Sequence, residues 1–145
     1  MEARLPFGAR LRMINAGIER KMNERFSDWE LTGPQVQALY YLYQGEKNGE
    51  SVNIRTMSQW LHKSHVTVLG IIDRLEQKGF VVSVADPADR RCRRVKLTEK
   101  AYEARAQVHS YRSYVDETLL QGLDPAEKQQ LDRLLAKLLE NVQKL

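Results

Sequence analysis

The chain has 145 residues, 42% of them hydrophobic and 29% charged, with a net charge of +4 and a single cysteine, Cys92. That length suits one compact unit able to bury about 68–70% of its unfolded surface. No apolar run approaches the roughly 18 residues that a membrane span needs, and the N-terminus lacks a signal-peptide core. One cysteine excludes an internal disulfide framework and suits a reducing cytoplasm, so a cytoplasmic protein is expected.

Phe7, Leu11, Ile14, Ile18, Met22 and Phe26 recur at steps of three or four and predict a long first helix with one apolar stripe. Ser27-Asp28 ends it, and Trp29 packs in the connection. Thr32-Gly33-Pro34 opens a second helix, with Pro34 at the first helical position, where its missing N–H costs nothing. Val36, Leu39, Tyr40, Leu42 and Tyr43 form its apolar side, and Gly45 to Ser51 is a polar loop. Asn53 caps a third helix whose Met57, Trp60 and Leu61 face inward. Ser64 is the N-cap of a fourth, in which Val68, Ile71, Ile72 and Leu75 form the buried stripe and Gly79 supplies the left-handed stop. Phe80 to Val84 is β-branched and aromatic, a strand signal. Asp86-Pro87-Ala88-Asp89 is turn chemistry. Arg90 to Lys96 returns as a second strand, with Val95 and Leu97 alternating against Arg94 and Lys96.

Thr98 then starts a helix to about Gln121, with Ala101, Ala104, Val108, Tyr111, Val115 and Leu119 on one side. Asp124-Pro125-Ala126-Glu127 is a further helix start, joining an acidic cap, a proline and a glutamate three residues after the cap. Leu131, Leu134, Leu135, Leu138, Leu139, Val142 and Leu145 follow. Little chain remains to cover that stripe. Together with the first helix and the Thr98 helix it reads as the interface of a two-fold homodimer, ordinary intrachain packing being the alternative.

Charge is concentrated in one place. Between His62 and Lys100 stand nine lysines and arginines (Lys63, Arg74, Lys78, Arg90, Arg91, Arg93, Arg94, Lys96, Lys100) and five acids (Asp73, Glu76, Asp86, Asp89, Glu99). The segment therefore carries +4, the net charge of the whole chain. Five cations fall within Arg90 to Lys96. A local positive surface of this kind is what a phosphate-binding face needs.

Asp89-Arg90-Arg91 followed by Val95, Leu97 and Thr98 resembles the D-x-R-x-x-x-[LV]-x-L-T wing signature of the multiple antibiotic resistance regulator (MarR) family. Ser64, Thr67, Val68, Asp73 to Glu76 and Gly79 to Val81 are similar to that family's recognition helix and the residues after it. The resemblance implies a mainly α fold with a small β-wing (α+β): a winged helix-turn-helix with N- and C-terminal dimerisation helices. It implies a single domain over 1–145, with the DNA-binding lobe at 32–97 and the helical dimerisation region at 1–28 and 98–145. It also implies a regulator of transcription that binds double-stranded DNA as a homodimer. The expected form is a ligand-responsive repressor on a pseudo-palindromic operator.

In such a fold the second helix of the pair lies in the major groove. His62-Lys63-Ser64 is then the turn, and His62 must take the positive-φ conformation that a glycine often supplies there. Turning Val68, Ile71, Ile72 and Leu75 inward puts Val66, Gly70, Asp73 and Gln77 outward, with Thr67 and Arg74 on the flanks. Val66 can meet a thymine methyl, and His65 or Thr67 a base edge or phosphate. Gly70 in mid-helix costs about 0.8–1.0 kcal/mol relative to alanine, which close approach to the duplex would offset; simple tolerance is the other reading.

Arg91 matches the family arginine that enters the minor groove, and Asp89 the acid that orients it. Arg90, Arg93, Arg94 and Lys63 would take phosphates, though the parity of Arg93 with Val95 and Leu97 also allows it to fold against the domain. The family commonly has a basic or polar residue where Leu69 and Gly70 stand, which shifts specificity towards DNA shape. It often has arginine in place of Ser83 and glycine in place of Ala101.

Other chemistries are poorly served. The three histidines and one cysteine include no nucleophile–base pair, and no glycine-rich phosphate loop appears, so no enzyme and no cofactor are expected. His62 and His65 have no third metal ligand near them, so no metal is expected. Cys92, beside cations, reads as structural or incidental. Trp29, Tyr40, Tyr43, His109 and Arg112 are the candidates for lining a pocket for a small aromatic or anionic effector, core packing being the alternative for each. A winged-helix module that binds protein without specific DNA binding is the competing function.

Overall fold

A computed structural model describes residues 4–145, and the first three residues of the expected 1–28 helical region lie outside it. The chain forms two compact units, one ending at Tyr111 and one running Arg112–Leu145. Seven helices and two strands are present among the described residues: α1 (Phe7–Arg25), α2 (Gly33–Lys47), α3 (Ile54–Leu61), α4 (His65–Gln77), β1 (Val81–Ala85), β2 (Arg93–Leu97), α5 (Glu99–Glu103), α6 (Arg105–Leu119) and α7 (Pro125–Gln143). A 3₁₀ turn at Ser27–Trp29 links α1 to α2.

In the first unit the core is built on α2, α3 and α4. Phe26, Val36, Leu39, Tyr43, Met57, Val68, Ile72, Leu75, Phe80, Val81 and Val108 are almost fully enclosed. The α1 stripe behaves differently. No residue of α1 is buried, and Phe7, Leu11 and Ile14 are about half exposed; only Phe26, just past its end, enters the core, with its ring edge-on to Tyr111. Thr32 and Gln35 form a reciprocal capping box that starts α2, placing Pro34 one position later than the sequence suggests.

Helix α2 also runs on through Gly45 to Lys47, where a loop was expected. The reason is close packing. A Cβ on Gly45 would lie 2.7 Å from Val52 Cγ2 and 3.3 Å from Trp60 Cη2, so this glycine admits its neighbours to the helix backbone and does not break the helix.

Asn53 caps α3 by accepting from the Thr56 N–H at 2.9 Å. His62 takes φ 52° and ψ 43°, the left-handed turn required between two crossing helices. Ser64 caps α4 by accepting from the Thr67 N–H at 3.2 Å. The end of α4 is a Schellman motif: Gly79 (φ 85°) donates to Glu76 O at 3.0 Å and Phe80 to Leu75 O at 2.9 Å. That second bond keeps Phe80 out of the strand, so β1 begins at Val81.

β1 and β2 pair antiparallel, Val81 opposite Leu97 and Ala85 opposite Arg93. A third lane, missed at the sequence level, runs along β2: Val95 donates to Val52 O at 2.9 Å, and Asn53 bridges Arg94. The Thr98 hydroxyl donates to Gly79 O at 2.5 Å, tying the wing's exit to the end of α4. The expected continuous helix from Thr98 is broken once, at Ala104, into α5 and α6.

In the second unit Asp124 and Glu127 form the expected capping box of α7. No residue of α7 is buried, and Leu134, Leu135, Leu139 and Val142 are 42 to 67% exposed.

Candidate nucleic-acid interface

The buried stripe of α4 fixes which of its residues face outward. Val68, Ile71, Ile72 and Leu75 are enclosed, which leaves His65, Val66, Thr67, Asp73, Arg74 and Gln77 exposed; Val66 is 78% accessible. An isolated valine this open on a helix has no packing purpose within the chain. The Thr67 hydroxyl accepts from Ser64 Oγ at 2.9 Å, so it is held at the cap while staying accessible. A Cβ on Gly70 would meet nothing within 4 Å, so no neighbour in the chain demands a glycine there.

Lys63, Val66, Thr67, Gly70 and Arg74 line one cleft of about 340 Å³. Its opposite wall is the start of α2, Thr32, Pro34 and Gln35, which the sequence reading left out of the site. The capping-box pattern was the available signal, because it marks where a helix N-terminus comes to the surface. The first-turn N–H groups and helix dipole favour anions at such a terminus.

The hairpin is ordered by two aspartates. Asp86 accepts from the Ala88 N–H at 2.9 Å, and its other oxygen lies 3.4 Å from Arg94 Nε. The backbone donor at Ala88, with Arg94 helping, holds the Asp86 carboxyl below the ordinary range. Asp89 accepts from the Arg91 N–H at 3.0 Å, and the same oxygen stands 4.0 Å from Arg91 Nε. The Arg91 side chain is 95% exposed. The tip therefore presents a guanidinium beside the acid that restrains its base. Arg90 and Arg93 are exposed too, and Cys92 is half-buried behind them, its thiol 3.8 Å from Asp89 Oδ2.

Several cations of the basic segment are engaged by groups of the chain itself. Arg94, expected on phosphates, is only 34% exposed and pairs with the protein's own Asp86, because β2 packs at that point against Asn53. Arg93, which parity allowed to fold inward, is open. Lys78 donates to Glu30 O and to Gln35 Oε1, the latter at 2.8 Å. Lys100 donates to Lys78 O at 2.6 Å and lies 4.6 Å from the centroid of the Phe80 ring. The open cations are thus Arg74, Arg90, Arg91, Arg93 and Lys96, with Lys63 half-covered.

Three of the five residues named for an effector pocket lie together. The His109 ring lies 6.0 Å from Tyr40 and 5.6 Å from Tyr43, so those three form a cluster. Trp29 packs instead towards Phe80, centroids 6.3 Å apart, and Arg112 belongs to the second unit. One cation near the cluster is Arg105, 5.9 Å from the Tyr43 centroid. Burial, then Arg105 and Lys47, lowers the His109 pKa; burial pushes the Tyr43 phenol up to about 12, its hydroxyl donating to Ala101 O. Among the described residues no three His, Cys, Asp or Glu side chains gather to hold a metal, and no helix is long and apolar enough to cross a membrane.

A family model described as "MarR family" matches residues 29–91, from the end of the 3₁₀ turn to the wing tip. Among solved structures, the chain is similar to a MarR transcriptional regulator from Methanosarcina mazei Go1 (23% identity, 94% of this chain and 96% of that one, TM-score 0.81). It is similar to S. aureus MepR in a complex with DNA (21% identity, 94% and 96%, TM-score 0.84). It is also similar to the reduced form of MarR from E. coli (26% identity, 93% and 97%, TM-score 0.73). Residues 29–91, which hold the helix-turn-helix, thus match the MarR family model, and the chain as a whole has the fold of these structures.

Proposed function

We propose that the protein is a transcription regulator that binds double-stranded DNA sequence-specifically as a homodimer, a cytoplasmic repressor on a pseudo-palindromic operator whose grip a small aromatic or anionic effector relaxes. The observation that carries this is the wing tip, where Arg91 stands almost fully open beside Asp89 with Arg90 and Arg93 around it. An arginine so exposed gives the fold nothing by its charge, since exposed ion pairs contribute little. It fits a minor groove, where narrow A·T-rich tracts concentrate negative potential. The α4 face adds Val66, Thr67 and His65 for the major groove, and Lys63 and Arg74 beside the start of α2 for phosphates. That MepR, a protein of the same fold, was solved on DNA supports the reading.

The exposed apolar stripes of α1 and α7 support the homodimer, each being an uncovered face in the single chain. The Tyr40–Tyr43–His109 cluster supports an effector of aromatic character, with Arg105 available to an anionic group. No catalytic role is proposed.

In vitro selection from random duplexes tests the reading. It should enrich an inverted repeat, and Arg91→Ala should bind that repeat at least tenfold more weakly at fixed salt with an unchanged melting temperature. A pool that never enriches, or an Arg91→Ala protein that binds as tightly as the parent, contradicts it.

A further inference from the structure

We propose that the cleft between the C-terminal half of α2 and α3, lined by Tyr41, Gln44, Gly45, Asn48, Glu50 and Trp60, binds a small organic cation of the quaternary-ammonium class. It is an open surface cleft of about 190 Å³ and shares no residue with the wing or the outer face of α4. Its shape begins with Gly45. The missing Cβ lets the Trp60 indole approach the bare backbone of α2, with Cη2 and Cζ3 3.3 and 3.5 Å from where a Cβ would stand. Tyr41, one turn earlier on the same helix face, brings its ring to 6.0 Å from that of Trp60, the planes tilted by 33°. Both side chains are half-buried, so each ring is held by the protein while part of it faces the cleft.

The charge of the lining selects the ligand. Glu50 is its single ionisable carboxylate, no lysine, arginine or histidine borders it, and Gln44 and Asn48 are neutral. Aromatic faces carry the negative lobe of the ring quadrupole, and a cation within about 6 Å of a ring centroid is attracted to it. A methylated ammonium, with its charge spread over apolar groups, suits a lining of two packed aromatic rings better than a strongly hydrated metal ion or primary amine. An anion would meet repulsion from both the rings and Glu50. The larger groove of about 440 Å³ beneath the wing offers no such choice, because it mixes Glu46 and Glu50 with Arg94 and Lys96.

Choline and its uncharged isostere 3,3-dimethylbutan-1-ol separate charge from shape. The full-length Trp29→Phe protein, in which Trp60 is the sole tryptophan, is titrated with each at constant ionic strength while its fluorescence is followed. Saturation-transfer NMR on the choline methyl protons repeats the measurement on the wild-type chain and needs no variant. Choline should give a saturable change, with affinity at least fivefold above that of the isostere. Glu50→Gln should lower choline affinity at least threefold and Tyr41→Leu at least tenfold. Absence of a saturable signal in the NMR experiment, equal or tighter binding of the isostere, or choline binding indifferent to both substitutions overturns the proposal.

Discussion

At the scale of single residues, Gly70 and Gly45 are both glycines inside helices, yet they stand there for opposite reasons. Around Gly70 the structure leaves open space, so alanine there should stabilise the free protein by about 0.8–1.0 kcal/mol through helix propensity alone. If α4 enters the major groove, the same methyl lies between helix and duplex, and DNA affinity should fall. Thermal melts and fluorescence anisotropy on Gly70→Ala check the two signs; a variant that gains both stability and affinity would show that this face does not approach DNA closely. Gly45→Ala drives a methyl to 2.7 Å from Val52 and should destabilise by about 1–3 kcal/mol, as overpacking does. A denaturant midpoint unchanged from the parent would refute that packing account.

His109 supplies a pH dependence whose sign follows from its environment. Burial and the charges of Arg105 and Lys47 lower its folded pKa below the ordinary 6.5, so the unfolded chain binds the proton more readily. Stability therefore rises with pH where the unfolded state holds the extra proton. The contribution is intact above pH 6.5 and lost as pH falls through that value towards the lower, folded one. Melting temperatures between pH 8 and 5 should drop less for His109→Gln than for the parent; parallel curves would contradict the assignment.

At the scale of elements, what could be read from the chain was what local chemistry decides. Asn53, Ser64 and Asp124 cap helices because a short polar side chain reaches the orphan N–H groups of the first turn, a relation contained within four residues. Gly79 ends α4 by the same locality, and His62 had to be left-handed because two helices cross there. What escaped depends on partners distant in sequence. Gly45 looks like a helix breaker until Val52 and Trp60 are seen against it. The Val52–Asn53 lane on β2 joins residues some 40 positions apart and too few to show a strand period. Arg94, Lys78 and Lys100 count as free cations in the sequence, whereas the fold gives them Asp86, Glu30, Gln35 and Phe80. The basic face is therefore narrower than the charge tally suggests, and it centres on the wing tip.

At the scale of the whole molecule, two features of the chain are incomplete in a single copy. The apolar stripes of α1 and α7 lack cover, and one wing with one α4 offers few phosphate contacts. A two-fold pairing through the terminal helices would answer both needs, presenting two α4 helices to successive major grooves about 34 Å apart. If the pair makes about eight phosphate contacts, log K should fall with log salt at a slope near −7. The most direct test is a hydroxyl-radical footprint of the purified protein on its selected duplex, read beside the mass of the complex. The account predicts two protomers per duplex and two protected half-sites whose centres lie about 10 base pairs apart, with the outer minor grooves shielded by the wings. A single protomer bound, or protection confined to one half-site, would contradict it.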